Sequence, residues 1–271
     1  MKTAVIVTTY NRPDALAAVL EGYCAQRDHE FELLVADDGS TEETATVVRD
    51  FVRRAGFPLS HVWQEDRGCR PAAIRNRAIA STRADYIIFT DGDCIPSRRF
   101  VGTHKALAEP GFFLGANRLL LAAELTNRVL REQIPIHDWT LFRWMQCWVR
   151  RDVNRLAPLL SLPNGAFRKW APNRWKGIKT CNLSVWRGDL IRVNGLDESN
   201  QGWALEDSDL VIRLLHAGVK HKNARFAAPV FHLWHPERDR RHLQENQQRL
   251  DDLLRSTTIR STVGLDQHGL P

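Results

Sequence analysis

Three apolar runs in the first ninety residues each stop at a cluster of polar side chains. Residues 4–8 lead into Thr8–Asn11, residues 31–36 into Asp37-Asp38-Gly39-Ser40-Thr41, and residues 86–90 into Asp91-Gly92-Asp93. Short, unbroken runs of this kind read as strands buried on both faces. A weaker strand is expected at 59–64. Between the runs the spacing turns helical. Pro13 suits a first helical turn, with Asn11 as a candidate cap, and Leu16, Val19, Leu20 and Tyr23 share one face. Ser40 or Thr41 can cap a second helix, with Glu42 and Glu43 in its first turn and Val47, Val48, Phe51 and Val52 as its buried side. Residues 67–71 read as a loop and 72–81 as a third helix. This alternation predicts an α/β fold, a Rossmann-like, mostly parallel twisted sheet flanked by helices. Such sheets bind ligands beyond the carboxyl ends of their strands, where the polar clusters fall. No Gly-x-Gly-x-x-Gly follows the first strand and no Walker lysine loop appears, so dinucleotide and P-loop readings are poor.

The Asp91-Gly92-Asp93 tip is the sharpest of the clusters. Residues two apart in a strand face the same way, and a glycine between them lets the chain turn so that both carboxylates converge. Two hard oxygen ligands suit Mg²⁺ or Mn²⁺ held partly by a substrate's phosphates. The bland alternative is an acidic turn, common Asp-Gly chemistry.

Composition narrows the classes. With 271 residues, 43% hydrophobic and 26% charged, the chain can bury one large core or two small ones. Five scattered cysteines without a Cys-x-x-Cys pair argue against a disulfide framework or structural zinc and for a reducing compartment. The opening apolar run is too short for a signal peptide and no run is long enough to cross a bilayer, so a cytoplasmic location is expected. A net charge of +6 permits a nucleotide, a phospholipid surface or a nucleic acid as anionic partner.

Val5-Ile-Val-Thr-Thr-Tyr-Asn11, Leu34-Val-Ala-Asp-Asp-Gly-Ser-Thr41, Ile74-Arg-Asn76 and Thr90-Asp-Gly-Asp93, in that order, resemble the motifs of family 2 glycosyltransferases of the GT-A fold. The resemblance covers residues 1–105 and resumes at 177–236. It implies a UDP- or dTDP-sugar donor, with Asp38 on the pyrimidine and Thr8 and Tyr10 on base and ribose, Asn11 standing beside them. Arg75, and less closely Arg70, would lie near the diphosphate, and Asp91 and Asp93 would hold the metal. A carboxylate can accept the imide N–H of a pyrimidine, and an arginine can fork onto phosphate.

Residues 111–176 depart from the sheet pattern. Trp139, Trp144, Trp148, Trp170 and Trp175 are interleaved with Arg143, Arg150, Arg151, Arg155, Arg168, Lys169, Arg174 and Lys176. Residues 138–153 could form an amphipathic helix, and 158–175 read as loop. The mixture suits an acceptor region or a membrane-surface patch, or tryptophans packing a small core beneath a solvated basic face. Single-stranded nucleic acid fits less well, and no nucleic-acid partner is expected.

A strand at 179–186 returns to the core. Glu206, Asp207 and Asp209 then open a helix whose apolar side is Leu210, Val211, Leu214 and Leu215, ended at Gly218. Acids there complement the helix dipole whatever else they do. The stretch also resembles the Trp-Gly-Gly-Glu-Asp-x-Asp segment of galactosyl- and chondroitin-type glycosyltransferases. Trp203, Glu206, Asp207 and Asp209 match it, while Ala204 and Leu205 replace the two glycines. The match implies Asp207 as general base, Glu206 supporting it and the acceptor, a stacking face on Trp203, and Asp209 in the acceptor group. By position His232, rather than His235, resembles a third metal ligand, and an imidazole favours Mn²⁺ over Mg²⁺.

The resulting expectation is one GT-A domain, with a nucleotide-sugar half at 1–105, an acceptor half at 106–256 and a tail at 257–271. Its activity would be inverting, metal-dependent sugar transfer onto a glycan or glycolipid, in bacterial surface polysaccharide or lipopolysaccharide synthesis, with possible peripheral membrane contact. The rivals are a sugar nucleotidyltransferase, which lacks its usual glycine-rich loop and lysine here, and a non-catalytic carbohydrate- or membrane-binding protein.

Overall fold

Ala4, Val5, Ile6 and Val7 are all fully buried because the first strand has helices against both of its faces. The computed structural model describes residues 1–200, 205–236 and 243–269. In chain order the elements are β1 (Thr3–Thr9), α1 (Pro13–Cys24), β2 (Glu32–Asp37), α2 (Glu42–Arg54), β3 (Leu59–Trp63), α3 (Pro71–Ala80), β4 (Tyr86–Asp91), β5 (Cys94–Pro96) and α4 (Phe100–Leu107). There follow β6 (Phe112–Gly115), β7 (Arg118–Leu120), α5 (Ala123–Arg131), α6 (Leu141–Val149), β8 (Leu183–Trp186), α7 (Arg187–Arg192), α8 (Glu206–His216), β9 (Lys220–Asn223), β10 (Val230–His232) and α9 (Leu243–Arg255).

The main sheet has the order β3-β2-β1-β4-β8-β6-β9. Its first four strands are parallel, while β8 runs antiparallel to both β4 and β6. Alternate residues feed two cores. Val5, Val7, Leu33, Val35 and Ile88 pack with Leu16, Val19, Leu20 and Tyr23 of α1. Ala4, Ile6, Leu34, Ile87 and Phe89 pack with Ile74 and Ile79 of α3 and Leu210 and Leu214 of α8. A small second sheet, β5-β10-β7, sits beyond the carboxyl end of β4. The predicted α/β architecture is therefore present, and both predicted halves of the chain share one continuous sheet.

Several local expectations are corrected. Asn11 does not cap α1. Its φ is +47°, its backbone N–H donates to Ser40 Oγ, and its Oδ1 accepts from the backbone N–H of Thr41, so it ties two loops together. Neither Ser40 nor Thr41 caps α2 through its side chain. Val52 is exposed, because the buried stripe of α2 passes through Thr44, Val48 and Phe51. The 111–176 segment contributes β6 to the main sheet and β7 to the small one, and its helix is shorter than expected. The tail is no appendage. Leu265 is buried in the second core, and Ser261 and Leu265 donate backbone hydrogen bonds to Val193 and Asn194.

Gly92 shows why the acidic tip has its sequence. Its φ lies outside the left-handed region; what it needs is room. Its N–H donates to the Thr8 carbonyl at 2.7 Å, and a Cβ would fall 2.9 Å from the Thr9 side chain and 3.2 Å from the Thr8 carbonyl oxygen. Gly92→Ala is expected to cost about 1–3 kcal/mol of stability through this overpacking, read as a lower urea midpoint at unchanged slope.

Candidate active site

The strand register brings the polar clusters level. Thr8 stands opposite Ala36 on one side and Asp91 on the other, so the chain leaves β1, β2 and β4 at one edge. Against that edge lie the start of α8, the residues leading into β8, and the end of β10. The cleft between them encloses about 1040 Å³, open solvent at its mouth included. Thr8, Tyr10, Asp38, Arg75, Asp91, Asp93, Glu206, Asp207, His232 and His235 line it.

Of the two acids after β2, Asp37 turns away, accepting from Ser40 N–H and meeting His61 Nε2 at 2.9 Å. Asp38 faces the cleft. Its oxygens accept from Gln64 Nε2 (2.5 Å) and the backbone N–H of Arg70 (2.8 Å), yet burial still pushes its carboxyl above the usual range. Tyr10 donates its hydroxyl to Asp66 at 3.0 Å. Arg70 takes part through its main chain; its guanidinium donates to the Glu65 carbonyl and does not line the cleft. Asn11 is likewise outside the lining, held between Ser40 and Thr41.

Arg75 is the junction of the site. Buried on α3, it donates from Nε to Thr8 Oγ1 (2.9 Å), from Nη2 to Asp91 Oδ1 (3.1 Å) and from Nη1 to Glu206 Oε1 (3.3 Å). Burial works against its charge, but Asp91, Glu206 and Asp207 outweigh that and hold it firmly protonated. Burial, with the neighbouring Asp207 charge, pushes the Glu206 carboxyl up to about 6, the Arg75 contact only partly opposing it.

The two acids of the tip have separate partners. Asp91 meets Arg75, and its ligand atom lies within 4.8 Å of those of Cys94 and Cys181. Asp93 meets His232 Nε2 at 3.6 Å and His235 Nε2 at 3.5 Å. The antiparallel pairing of β5 with β10 sets this meeting, with His232 opposite Cys94 and Leu233 N–H donating to the Asp93 carbonyl. Burial lowers His232 to about 4, leaving a neutral imidazole with a free electron pair. Asp93, Cys94 and His232 form a group whose ligand atoms all lie within 4.8 Å. Burial pushes the Cys94 thiol well up, so it brings no thiolate, and the carboxylate and imidazoles that remain fit Mn²⁺. Both histidines face Asp93.

Asp207 accepts twice from Thr180, from Oγ1 at 2.5 Å and from the backbone N–H at 3.2 Å, and Lys179 Nζ stands 3.7 Å from its other oxygen. Asp209 is not in the cleft. It accepts from Arg213 Nε and Nη2, and the buried Arg213 also donates to the Val193 and Gly195 carbonyls, so Asp209 braces α8 against the loop before it. Trp203 lies outside the described residues.

Arg12, Arg118, Lys179 and Thr180 also line the cleft, though the sequence did not mark them. The clue for Lys179 and Thr180 was strand direction. A strand antiparallel to its neighbours brings its beginning, not its end, to the ligand edge.

Residues 4–118 match the family model described as glycosyl transferase family 2, and residues 165–236 match the one described as the N-terminal domain of galactosyltransferase. Validoxylamine A glucosyltransferase of Streptomyces hygroscopicus subsp. limoneus is 30% identical over 80% of this chain and 48% of its own length. Chondroitin synthase of Escherichia coli is 24% identical over 83% of this chain and 34% of its own. The chain thus spans about half the length of the first, and less of the second. Among solved structures, the mannosyltransferase PcManGT from Pyrobaculum calidifontis, in complex with GDP-Man and Mn²⁺, aligns with 94% of this chain and 64% of its own at TM-score 0.62 and 18% identity. Staphylococcus aureus TarS 1-349, in complex with UDP-GlcNAc, aligns with 99% and 69% at TM-score 0.61 and 14% identity. The fold is GT-A, and the chain is a relative of the family 2 glycosyltransferases with a galactosyltransferase-type segment in its second half.

Glu206 gives the site a pH signature. A carboxyl raised by folding adds stability that is fully present below its unfolded value, near 4.3, and is lost as pH rises through about 6. Relative to Glu206→Gln, the wild-type chain should therefore lose stability between these limits, and chemical denaturation of both proteins across that range checks it.

Proposed function

We propose that this chain is an inverting, metal-dependent glycosyltransferase, moving a sugar from a UDP- or dTDP-sugar to a hydroxyl of a glycan or glycolipid. One observation carries the reading: Asp38, Asp93 with His232, and Asp207 line a single cleft, and they come from both family-matched regions of the chain. The setting that fits is bacterial surface-polysaccharide or lipopolysaccharide synthesis at the inner face of the cytoplasmic membrane.

In this reading Asp38 accepts the imide N–H of the pyrimidine, fixed beforehand by Gln64 and the Arg70 amide. Tyr10 flanks the base and ribose. Asp93 and His232 would hold Mn²⁺, with Asp91 in support; when bound, the metal neutralises charge growing on the departing diphosphate. Arg75 adds a fixed positive charge beside Thr8 and Asp91. Asp207 takes the proton of the acceptor hydroxyl. A carboxylate is too weak a base to ionise an alcohol in advance, so the proton moves as the bond to the anomeric carbon forms. Positioning therefore counts as much as basicity, and the paired Thr180 hydrogen bonds fix one oxygen of Asp207. Glu206, joined to Arg75, keeps the acceptor side in register with the donor side.

The test is a thermal-shift panel of nucleotide sugars with Mn²⁺, followed by transfer assays on the donor that stabilises. Chelator should abolish transfer and Mn²⁺ restore it, and the product should be a nucleoside diphosphate. Release of pyrophosphate would instead mark a nucleotidyltransferase. Asp207→Asn should keep the donor-induced shift while transfer falls by ~10²–10⁴; near-normal turnover would remove Asp207 from the role of base.

A further inference from the structure

The helix α6 has two apolar sides, and the fold covers only one. Trp144 and Cys147 are buried: Trp144 stacks on Phe231 of β10 at 4.7 Å between ring centroids and meets Trp139 edge-on. Leu141, Phe142, Met145, Trp148 and Val149 are 58, 69, 48, 51 and 76% exposed. At 3.6 residues per turn these five fall within an arc of roughly 120°, clear of the buried side. By the same rule exposed Arg143 and Arg150 fall about 150° from the middle of this arc, on the polar side of the helix, and exposed Arg151 and Arg155 follow it in the chain. Scattered apolar side chains on a surface mean little, but five on one face of a nine-residue helix form a patch.

Charge identifies the occupant. Residues 139–176 carry eight Lys and Arg and a single acid, Asp152. The other 233 residues carry 30 bases and 31 acids, so the whole positive excess of the chain resides in this segment. A second copy of the chain would bring two such segments face to face, and like charges at close range oppose that. A nucleic acid would answer the charge and leave Leu141, Met145 and Val149 in water. An anionic bilayer answers both, taking the apolar arc among its acyl chains, tryptophan at the headgroup level and arginines on its phosphates. Among the described residues no helix is long and apolar enough to cross a membrane, so contact of this kind lies along the surface.

We infer that α6 and its flanking arginines dock the protein on an anionic lipid surface. Because Trp144 packs on Phe231, beside His232, the docking helix is braced against the strand that reaches the cleft. The inference goes beyond the proposed activity and does not depend on it, since binding to lipid requires no sugar transfer.

Co-sedimentation of the full chain with vesicles tests it. Binding is expected to phosphatidylcholine vesicles containing phosphatidylglycerol, much less to phosphatidylcholine alone, and to weaken as salt is raised. Phe142→Ser with Trp148→Ser should lower the partition coefficient on the order of tenfold or more. Arg143→Glu with Arg150→Glu should abolish the preference for anionic lipid. All four positions are exposed, so both variants should retain the circular dichroism spectrum and unfolding midpoint of the wild type. No uptake, equal uptake by neutral and anionic vesicles, or unchanged uptake by the Phe142–Trp148 variant would each overturn the inference. So would a concentration-dependent dimer that the same substitutions dissolve. A chain that binds vesicles yet transfers no sugar would leave this inference standing and remove the proposed activity.

Discussion

A single guanidinium holds the cleft together. Arg75 lies out of water on α3, where a bare charge is costly, and it finds anionic partners on two elements far apart in sequence, Asp91 at the end of β4 and Glu206 at the start of α8. Its third partner, Thr8, lies one residue before the end of β1. Removing one member of a buried ion pair leaves an uncompensated charge and typically costs about 3–5 kcal/mol, so the three elements are bound to a common geometry. Both carboxylates line the cleft together with a second acid one or two residues on, Asp93 and Asp207. Asp93 is thereby placed opposite His232 of β10 and His235 just beyond it, and Asp207 opposite Thr180 and Lys179.

The division of labour inside each acid pair recurs. Asp37 is turned inward to Ser40 and His61 while Asp38 faces the cleft. Asp91 is held by Arg75 while Asp93 meets imidazoles. Glu206 is held by Arg75 while Asp207 meets a hydroxyl, an amide and an ammonium. The two carboxylates of each pair thus meet different partners, and of the six only Asp37 does not line the cleft.

Much of this was legible beforehand, and the gaps have a common cause. Unbroken apolar runs marked β1, β2 and β4 because strands covered on both faces cannot alternate, and the acids at their ends followed from topology. Spacing reports which way a side chain faces but not what it will meet. Asp209 had the look of an acceptor ligand, and its partner Arg213, one turn on, claims it for the helix. The family resemblance places Arg70 near the diphosphate, whereas its contact with the site is made through its main-chain N–H. Trp144 and Trp148, one turn apart, end up inside and outside because Phe231 covers only one of them. Lys179 and Thr180 were hidden by the reversed direction of β8, which no local pattern encodes.

Leu205, just before α8, sits at φ +75°, a left-handed backbone that leucine adopts only at a cost of about 1–3 kcal/mol. Its side chain is partly buried against Ile212 of α8 and Leu250 and Leu253 of α9. A glycine at this position would reach the same backbone without strain and without support from elsewhere. With leucine, the twist that aims Glu206 and Asp207 into the cleft is borrowed from a helix some forty residues downstream. The C-terminal helix thereby supports the turn that leads into the two acids, although neither Leu250 nor Leu253 lines the cleft.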